Sequence, residues 1–380
     1  MTFNATLALI SVFLVALTGC QFGLTEAEEH FDAGMEYYDQ GLLEQAALEF
    51  GEAIRLDPQF VAAYVNRGNT RDDMGQSELA ITDYDAALGL EPDSANTYAN
   101  RGLAYHRLGE YEQAIQDFTK AATLNPDNPQ TFNLRGNVYD DSGDIERALK
   151  GYGRAISLDP EHASAYYNRG VLHKNQGQPQ LALMDYDKAI SLNPRSGRYY
   201  EARGGLHVDQ DRYIDGTNDL NRAVELGWET PGAYFERGFA YLALDEVEYA
   251  LDDFTEAILL DPQNARYYEV RGTVYLTLQE FGRAIPDFDA ALRFNPSNLK
   301  IYVNRGVSYM SLGDFDQALR DLNQAIEIDP SNAQIYINRA AVYAFQFRDD
   351  LAAADAERSI ELGLEPDLAL SVLAEVERQR

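Results

Sequence analysis

Apolar and small positions recur along this chain in blocks of fixed length. In residues 61–94, Tyr64, Gly68 and Arg71 are separated by steps of four and three, and Ala80, Tyr84 and Ala87 repeat those steps. Such steps place each set on one face of an α-helix, so the pattern predicts two helices per block. A glycine usually stands between them (Gly41, Gly75, Gly109, Gly143, Gly177, Gly313), where a helix ends and the chain turns. A proline after Asp, Glu or Asn closes most blocks, at Pro58, Pro92, Pro126, Pro160, Pro194, Pro262, Pro296 and Pro330. Proline cannot continue the helix and restricts its predecessor. No segment alternates as a strand does.

The block is 34 residues long and begins at Ala27, Val61, Ala95, Pro129, Ala163, Gly197, Pro231, Ala265, Leu299 and Ala333. Ten units therefore span 27–366, and a fixed period of this size means a stacked array, in which each unit buries its apolar face on its neighbours. Residues 367–380 predict a capping helix, with Leu368, Val372 and Val376 covering the last repeat and Glu375, Glu377, Arg378 and Arg380 facing water. Small residues hold three rows where paired helices meet: Gly34 through Gly306, with Ala340 last; Ala46 through Ala352, broken by Gly216; and Ala53 through Ala325, with Ser359 last. Large partners should fill the gaps. The row Tyr64, Tyr98, Phe132, Tyr166, Tyr200, Tyr234, Tyr268, Tyr302 and Tyr336 is the expected source.

The spacing aromatic, small, aromatic, Ala, aromatic, Ala, Pro resembles the tetratricopeptide repeat family over residues 27–366. That resemblance implies an all-α fold, an α-solenoid of ten antiparallel helix pairs wound as a right-handed superhelix. It also implies a concave groove lined by the first helix of each pair.

An arginine recurs in the first helix of nine units: Arg67, Arg101, Arg135, Arg169, Arg203, Arg237, Arg271, Arg305 and Arg339. A second row carries Glu49, Asp83, Asp117, Asp185, Asp219, Asp253, Asp287, Asp321 and Asp355, with Gly151 breaking it. The two rows predict a ladder of charge pairs inside the array, within units or between neighbours. Gly151 decides the register, because its missing partner is Arg135 in one case and Arg169 in the other.

Binding is expected on the face that the resemblance assigns to the groove. There the steps i, i+4, i+7 read Val65, Asn69, Asp72 and Asn133, Asn137, Asp140 in early units. Later units read Phe235, Phe239, Leu242, then Val303, Val307, Met310, then Ile337, Ala341, Ala344, with Leu276 between. The expected groove is polar and acidic toward the N-terminus and apolar toward the C-terminus. The apolar part suits an amphipathic helix or extended segment; alternatively, neighbouring repeats or a second copy cover it. Asn66, Asn100, Asn168, Asn304 and Asn338 resemble the asparagine ladder of some peptide-binding arrays; equally, they satisfy local backbone groups. The chaperone-type clamp of the family needs Lys and Arg in this stripe, and Lys174 is almost alone there. Gly204-Gly205, Gly216 and the junction "GWETPG" weaken the pattern in units six and seven, through a hinge, a contact point or drift.

Charge narrows the partners. With 31 basic and 62 acidic residues, net −31, the chain lacks the footprint for nucleic acid and for anionic lipid surfaces. The acid is either a solvated surface or a recognition surface for basic partners. Residues 1–25 carry no charged side chain, and "LALISVFLVALTGC" reads as a secretory signal over 1–19. Leu17-Thr18-Gly19-Cys20 resembles a bacterial lipobox, although "MTFN" lacks the usual Lys or Arg. The resemblance implies lipidation of Cys20, the one cysteine, with residues 20–26 as a short tether. An uncleaved anchor is the alternative.

No enzyme signal stands out. The five histidines (His30, His106, His162, His173, His207) lack metal-ligand spacing, and no phosphate loop follows a strand. No catalytic, metal or cofactor residue is expected. The reading is a non-catalytic scaffold in a bacterial cell envelope, on the outer membrane facing the periplasm, joined to the membrane by lipid and to envelope proteins through peptide or helix segments. Alternatives are an accessory subunit of an envelope assembly or glycan-processing enzyme complex, and a cytosolic scaffold without lipid.

Overall fold

A computed structural model describes residues 24–379; Cys20 and the apolar leader lie outside them. The described residues form helices alone, in consecutive pairs, and the chain divides into two compact units at Pro160. The first unit holds α1 (Glu26–Asp39) and α2 (Leu43–Leu56), α3 (Val61–Asp73) and α4 (Ser77–Leu90), α5 (Ala95–Arg107) and α6 (Tyr111–Leu124), and α7 (Pro129–Asp141) and α8 (Ile145–Leu158). The second begins with α9 (Ala163–Asn175) and α10 (Pro179–Leu192), α11 (Gly197–Asp209) and α12 (Tyr213–Glu225), and α13 (Pro231–Ala243) and α14 (Val247–Leu260). It continues with α15 (Ala265–Thr277) and α16 (Phe281–Phe294), α17 (Leu299–Ser311) and α18 (Phe315–Ile328), α19 (Ala333–Phe345) and α20 (Asp349–Glu361), and ends with α21 (Pro366–Gln379).

Local chemistry sets these boundaries. Asn128, Asn264, Asn298 and Asn332 cap their helices by accepting backbone N–H groups with the side-chain oxygen. Second helices end at an extended residue before proline, as at Asp57 (φ −127°, ψ 95°), because proline excludes the helical conformation there. Gly41 and Gly75 turn between helices at φ 76° and 75°; Asp211, Asp245, Gln279 and Phe347 take the same left-handed conformation without glycine's freedom.

Within nine of the ten pairs, a large side chain of the second helix presses on a small residue of the first; in the tenth, Ala356 takes that place. A β-carbon on Gly238 would lie 2.7 Å from the Phe254 ring, so glycine is what lets the helices meet. Phe50, Tyr84, Phe118, Tyr152, Tyr186, Leu220, Phe288 and Leu322 do the same elsewhere and are almost wholly buried. These fill the gaps, not the expected row from Tyr64 to Tyr336. Most of that row stacks on the arginine three residues later, as Arg237 does over Tyr234 at 5.3 Å. The correction has a simple cause: i and i+3 on one helix are neighbours.

Around units six and seven the helices are continuous. A β-carbon on Gly197 would lie 2.2 Å from Trp228 Cβ, and Trp228 Nε1 donates to Glu201 at 2.5 Å. The junction is tied down, so no hinge is needed to explain its composition. At the C-terminus, Ala369, Val372, Leu373 and Val376 pack on α19 and α20, while Leu368 is 49% exposed. Leu368 therefore does not cover the last repeat; the buried face of α21 is one residue later.

Candidate functional site: the first-helix face

The arginine row resolves first. The Nε and Nη2 atoms of eight of the nine arginines fork onto the aspartate sixteen residues later, on the second helix of the same pair. Arg67–Asp83, Arg101–Asp117, Arg169–Asp185, Arg203–Asp219, Arg237–Asp253, Arg271–Asp287, Arg305–Asp321 and Arg339–Asp355 all pair this way, at 2.6–3.2 Å. The third nitrogen, Nη1, reaches the preceding pair. It meets Asp85 from Arg101, Asp187 from Arg203, Asn221 from Arg237, Thr255 from Arg271, Asp289 from Arg305 and Asn323 from Arg339. These six rungs thus join helices within a pair and successive pairs at once. The planar guanidinium, with its several donors in a fixed fork, permits this and a lysine would not.

Gly151 settles the register as intrarepeat. Arg135 is the arginine left without a carboxylate: its Nε is buried and unpartnered, and Nη1 reaches only Thr119 at 3.4 Å. A β-carbon on Gly151 would lie 3.0 Å from Gly136 Cα and from Phe132 O, so a side chain is crowded out where the carboxylate is missing. In the first repeat, where Ala33 stands at the arginine's place, His30 Nδ1 meets Glu49 at 2.5 Å instead. His207 packs 7% exposed, and burial lowers its pKa.

On the first-helix face of the first unit, polar groups satisfy one another. Tyr38, Asn69, Asp72, Asp73, Tyr84, Asn100, Leu103 and Arg107 line a cavity of about 200 Å³. Asn69 Oδ1 accepts from both Tyr84 and Asn100 at 2.9 Å, and Arg107 holds Asp72 at 2.6 Å. Tyr38 donates to Asp73 at 2.5 Å; with burial as the larger cause, its pKa is pushed up to about 12.

The asparagine row is engaged within the protein. Asn66 donates to Ala62 O, Asn100 to Asn69, and Asn304 to Thr273 Oγ1 at 3.5 Å, while Asn338 accepts from Gln334. Asn168 also has an interaction partner. Two of these bonds, Asn100–Asn69 and Asn304–Thr273, link successive first helices.

The second unit carries the apolar part. Phe239, Leu242, Leu276, Val303, Val307 and Met310 are half-buried along α13, α15 and α17. Two adjoining cavities open there. One of about 480 Å³ is lined by Val208, Asp209, Tyr213, Glu236, Phe239, Leu242, Ala243 and Arg266. The other, about 430 Å³, shares Phe239, Leu242 and Arg266 and adds Glu269, Val270, Thr273, Val274 and Lys300. Four expected members of the strip are not on the open face: Phe235, Ile337 and, 4% and 3% exposed against Val372, Leu373 and Val376, Ala341 and Ala344. Phe235 is 3% exposed, enclosed by Phe239, Phe254 and Tyr267. Ile337 is 1% exposed beneath α21, in the cluster with Ala369, Val372 and Leu373. Helical spacing identifies a stripe but not how deep a neighbour sits on it, which explains all four. Arg198, Arg266 and Lys300 border this face at the second position of their repeats, so it is less purely apolar than the stripe suggested; Arg198 and Arg266 stack over Tyr167 at 4.3 Å and Phe235 at 5.0 Å.

Similar solved structures share this architecture. A tetratricopeptide repeat protein from Parabacteroides merdae is 24% identical, with TM-score 0.51, covering 62% of this chain and 93% of its own. PilF of Pseudomonas aeruginosa is 19% identical, with TM-score 0.51, covering 56% and 96%. YrrB, described as having an unusual peptide-binding site, is 24% identical with TM-score 0.45, covering 48% and 94%. No curated protein matches the chain. Tetratricopeptide-repeat models match residues 95–128, 163–196, 231–264 and 265–298, and TPR-repeat models match 34–75, 71–109, 136–177 and 308–346. The chain belongs to the tetratricopeptide repeat family.

Proposed function

We propose that this protein is a non-catalytic scaffold that holds peptide or helical segments of other proteins on the first-helix face of its second unit. The observation that carries this reading is the pair of adjoining cavities around Phe239 and Leu242. An apolar surface of this kind, bordered by charge, is where a partner side chain gains most from leaving water. The test is a Phe239→Asp variant in affinity purification from envelope extracts. Partners recovered with the unaltered chain are lost with the variant; recovery of the same set from both defeats the reading.

The scaffold is held at a bacterial envelope membrane through lipid on Cys20, on the outer membrane facing the periplasm. The lipobox-like Leu17-Thr18-Gly19-Cys20, ending in the sole cysteine, supports this. Gln21 follows, with no Asp there to signal inner-membrane retention. Mass spectrometry of the mature N-terminus decides it: an unmodified Met1 or a free Cys20 ends the claim.

A further inference from the structure

Most carboxylates on the first-helix face of the second unit are matched by a donor. Glu201 accepts from Trp228 Nε1 at 2.5 Å and Thr230 at 2.6 Å. Glu269 accepts from Asn298 at 2.9 Å and faces Lys300 at 3.7 Å. Asp209 is paired with Lys174 at 2.8 Å. Glu236 lines the same face and, among the described residues, has neither a hydrogen bond nor an ion pair. It lies beside Gly205, where a β-carbon would stand 4.0 Å, an ordinary contact distance, from Glu236 Cγ. Arg266 borders the same cavity, but its guanidinium stacks over Phe235 and makes no ion pair with Glu236. Burial, with Asp209 nearby, pushes the Glu236 carboxyl above the ordinary range. Lys174 and Arg266 act on it only at a distance, against that burial. A half-buried carboxylate without a hydrogen bond or ion pair is costly to the free protein, because it loses water.

We propose that the cavity around Glu236 receives a lysine or arginine side chain from an extended segment of a partner protein. This rests on the reading of the face as a partner groove. The ammonium or guanidinium meets Glu236, and the aliphatic stem lies along Val208, Phe239 and Leu242, as long basic side chains do on apolar surface. The adjoining cavity, floored by Val270 and Val274, takes an apolar side chain two or three residues further on. Successive first helices lie about 8–10 Å apart, and an extended segment advances about 7 Å in two residues. The net charge of −31 favours approach of a basic segment and disfavours an acidic one.

The probe is a library of random dodecapeptides, panned on the full chain purified in detergent, in parallel with Glu236→Gln and Phe239→Asp variants. Expected is enrichment of peptides with a Lys or Arg close to an apolar residue, whose affinity falls at least about tenfold in Glu236→Gln. Gln keeps the shape and removes a charge that has no hydrogen bond or ion pair and that burial disfavours, so the variant folds. Enriched peptides without a basic residue, or basic peptides bound equally by Glu236→Gln, overturn basic recognition while leaving the groove. Enrichment of acidic peptides assigns the cavity to Arg266 and overturns the proposal. No enrichment above the Phe239→Asp background overturns the groove reading itself.

Discussion

Arg237→Met tests whether the rungs hold the array together. Arg237 and Asp253 have side chains 14% and 6% exposed, joined at 2.8 and 2.6 Å, with Nη1 also on Asn221 at 2.9 Å. Burial raises the Asp253 carboxyl pKa even with Arg237 against it, so the charge depends on its partner. Removing one member of such a pair costs about 3–5 kcal/mol, whereas replacing both by apolar groups is nearly neutral. Arg237→Met should therefore destabilise by about 3 kcal/mol or more. The double variant Arg237→Met/Asp253→Leu should return to within about 1 kcal/mol of the unaltered chain.

Arg135 is the internal control. Its Met variant loses a stack over Phe132 at 5.2 Å, about 0.5–1 kcal/mol. It also relieves a buried, unpartnered Nε, worth about 1–3 kcal/mol. The net effect should lie within about 1 to 2 kcal/mol of zero, on the stabilising side. Repeat arrays unfold unit by unit, so a global midpoint blurs a local change. Hydrogen exchange read by mass spectrometry on separate helices resolves it. A loss of 3 kcal/mol speeds exchange in α13 and α14 by about a hundredfold. Equal acceleration of α7 and α8 by Arg135→Met would refute the account, as would additivity of the Arg237 and Asp253 substitutions.

Four further outcomes follow from single positions. Pro286 lies exposed inside α16; Pro286→Ala should stabilise by about 2–3 kcal/mol, measured in urea unfolding. Phe347 sits at φ 60° and is 71% exposed; Phe347→Gly should stabilise by about 0.5–1 kcal/mol in the same assay. The His30 pKa is raised, chiefly by its hydrogen bond to Glu49. That contribution is full below the ordinary histidine pKa of about 6.5 and is lost as pH rises through the raised value. Exchange in α1 should quicken across that window, and quicken less in His30→Gln. Glu236 also has a raised pKa, so its folded form favours the proton, and stability falls as pH rises through that value. Glu236→Gln should therefore stabilise the free protein at neutral pH, with the gain vanishing in acid, as thermal unfolding at both pH values reports.

The repeat was legible because its period is long, unbroken and tied to backbone chemistry. Pre-proline residues and small residues at helix contacts each have a local cause that a single sequence displays. The Arg–Asp pairing was legible as a pattern of absence: Gly151 removes one carboxylate, and Arg135 is the arginine left over. The second job of six of the rungs was hidden. Asp85, Asp187, Asn221, Thr255, Asp289 and Asn323 share a position and a role but not a residue type, so no row appears when they are read along the chain.

The groove was legible only as a direction, for the same reason. A step of four and seven says which residues share a line on a helix, but depth depends on what the neighbouring element lays over them. Phe235 and Phe239 share one line, yet the first is sealed by Tyr267 and Phe254 and the second borders two cavities. Ile337 lies under α21, an element that the repeat itself does not predict. Glu236 was missed because it stands between the stripe positions, and whether a carboxylate there meets a donor depends on side chains from the neighbouring repeats, which a single helix does not display. Positions that every repeat fills alike report on the scaffold. The positions that differ between repeats are where a partner can be told apart, and they become readable only when each is seen against its neighbours.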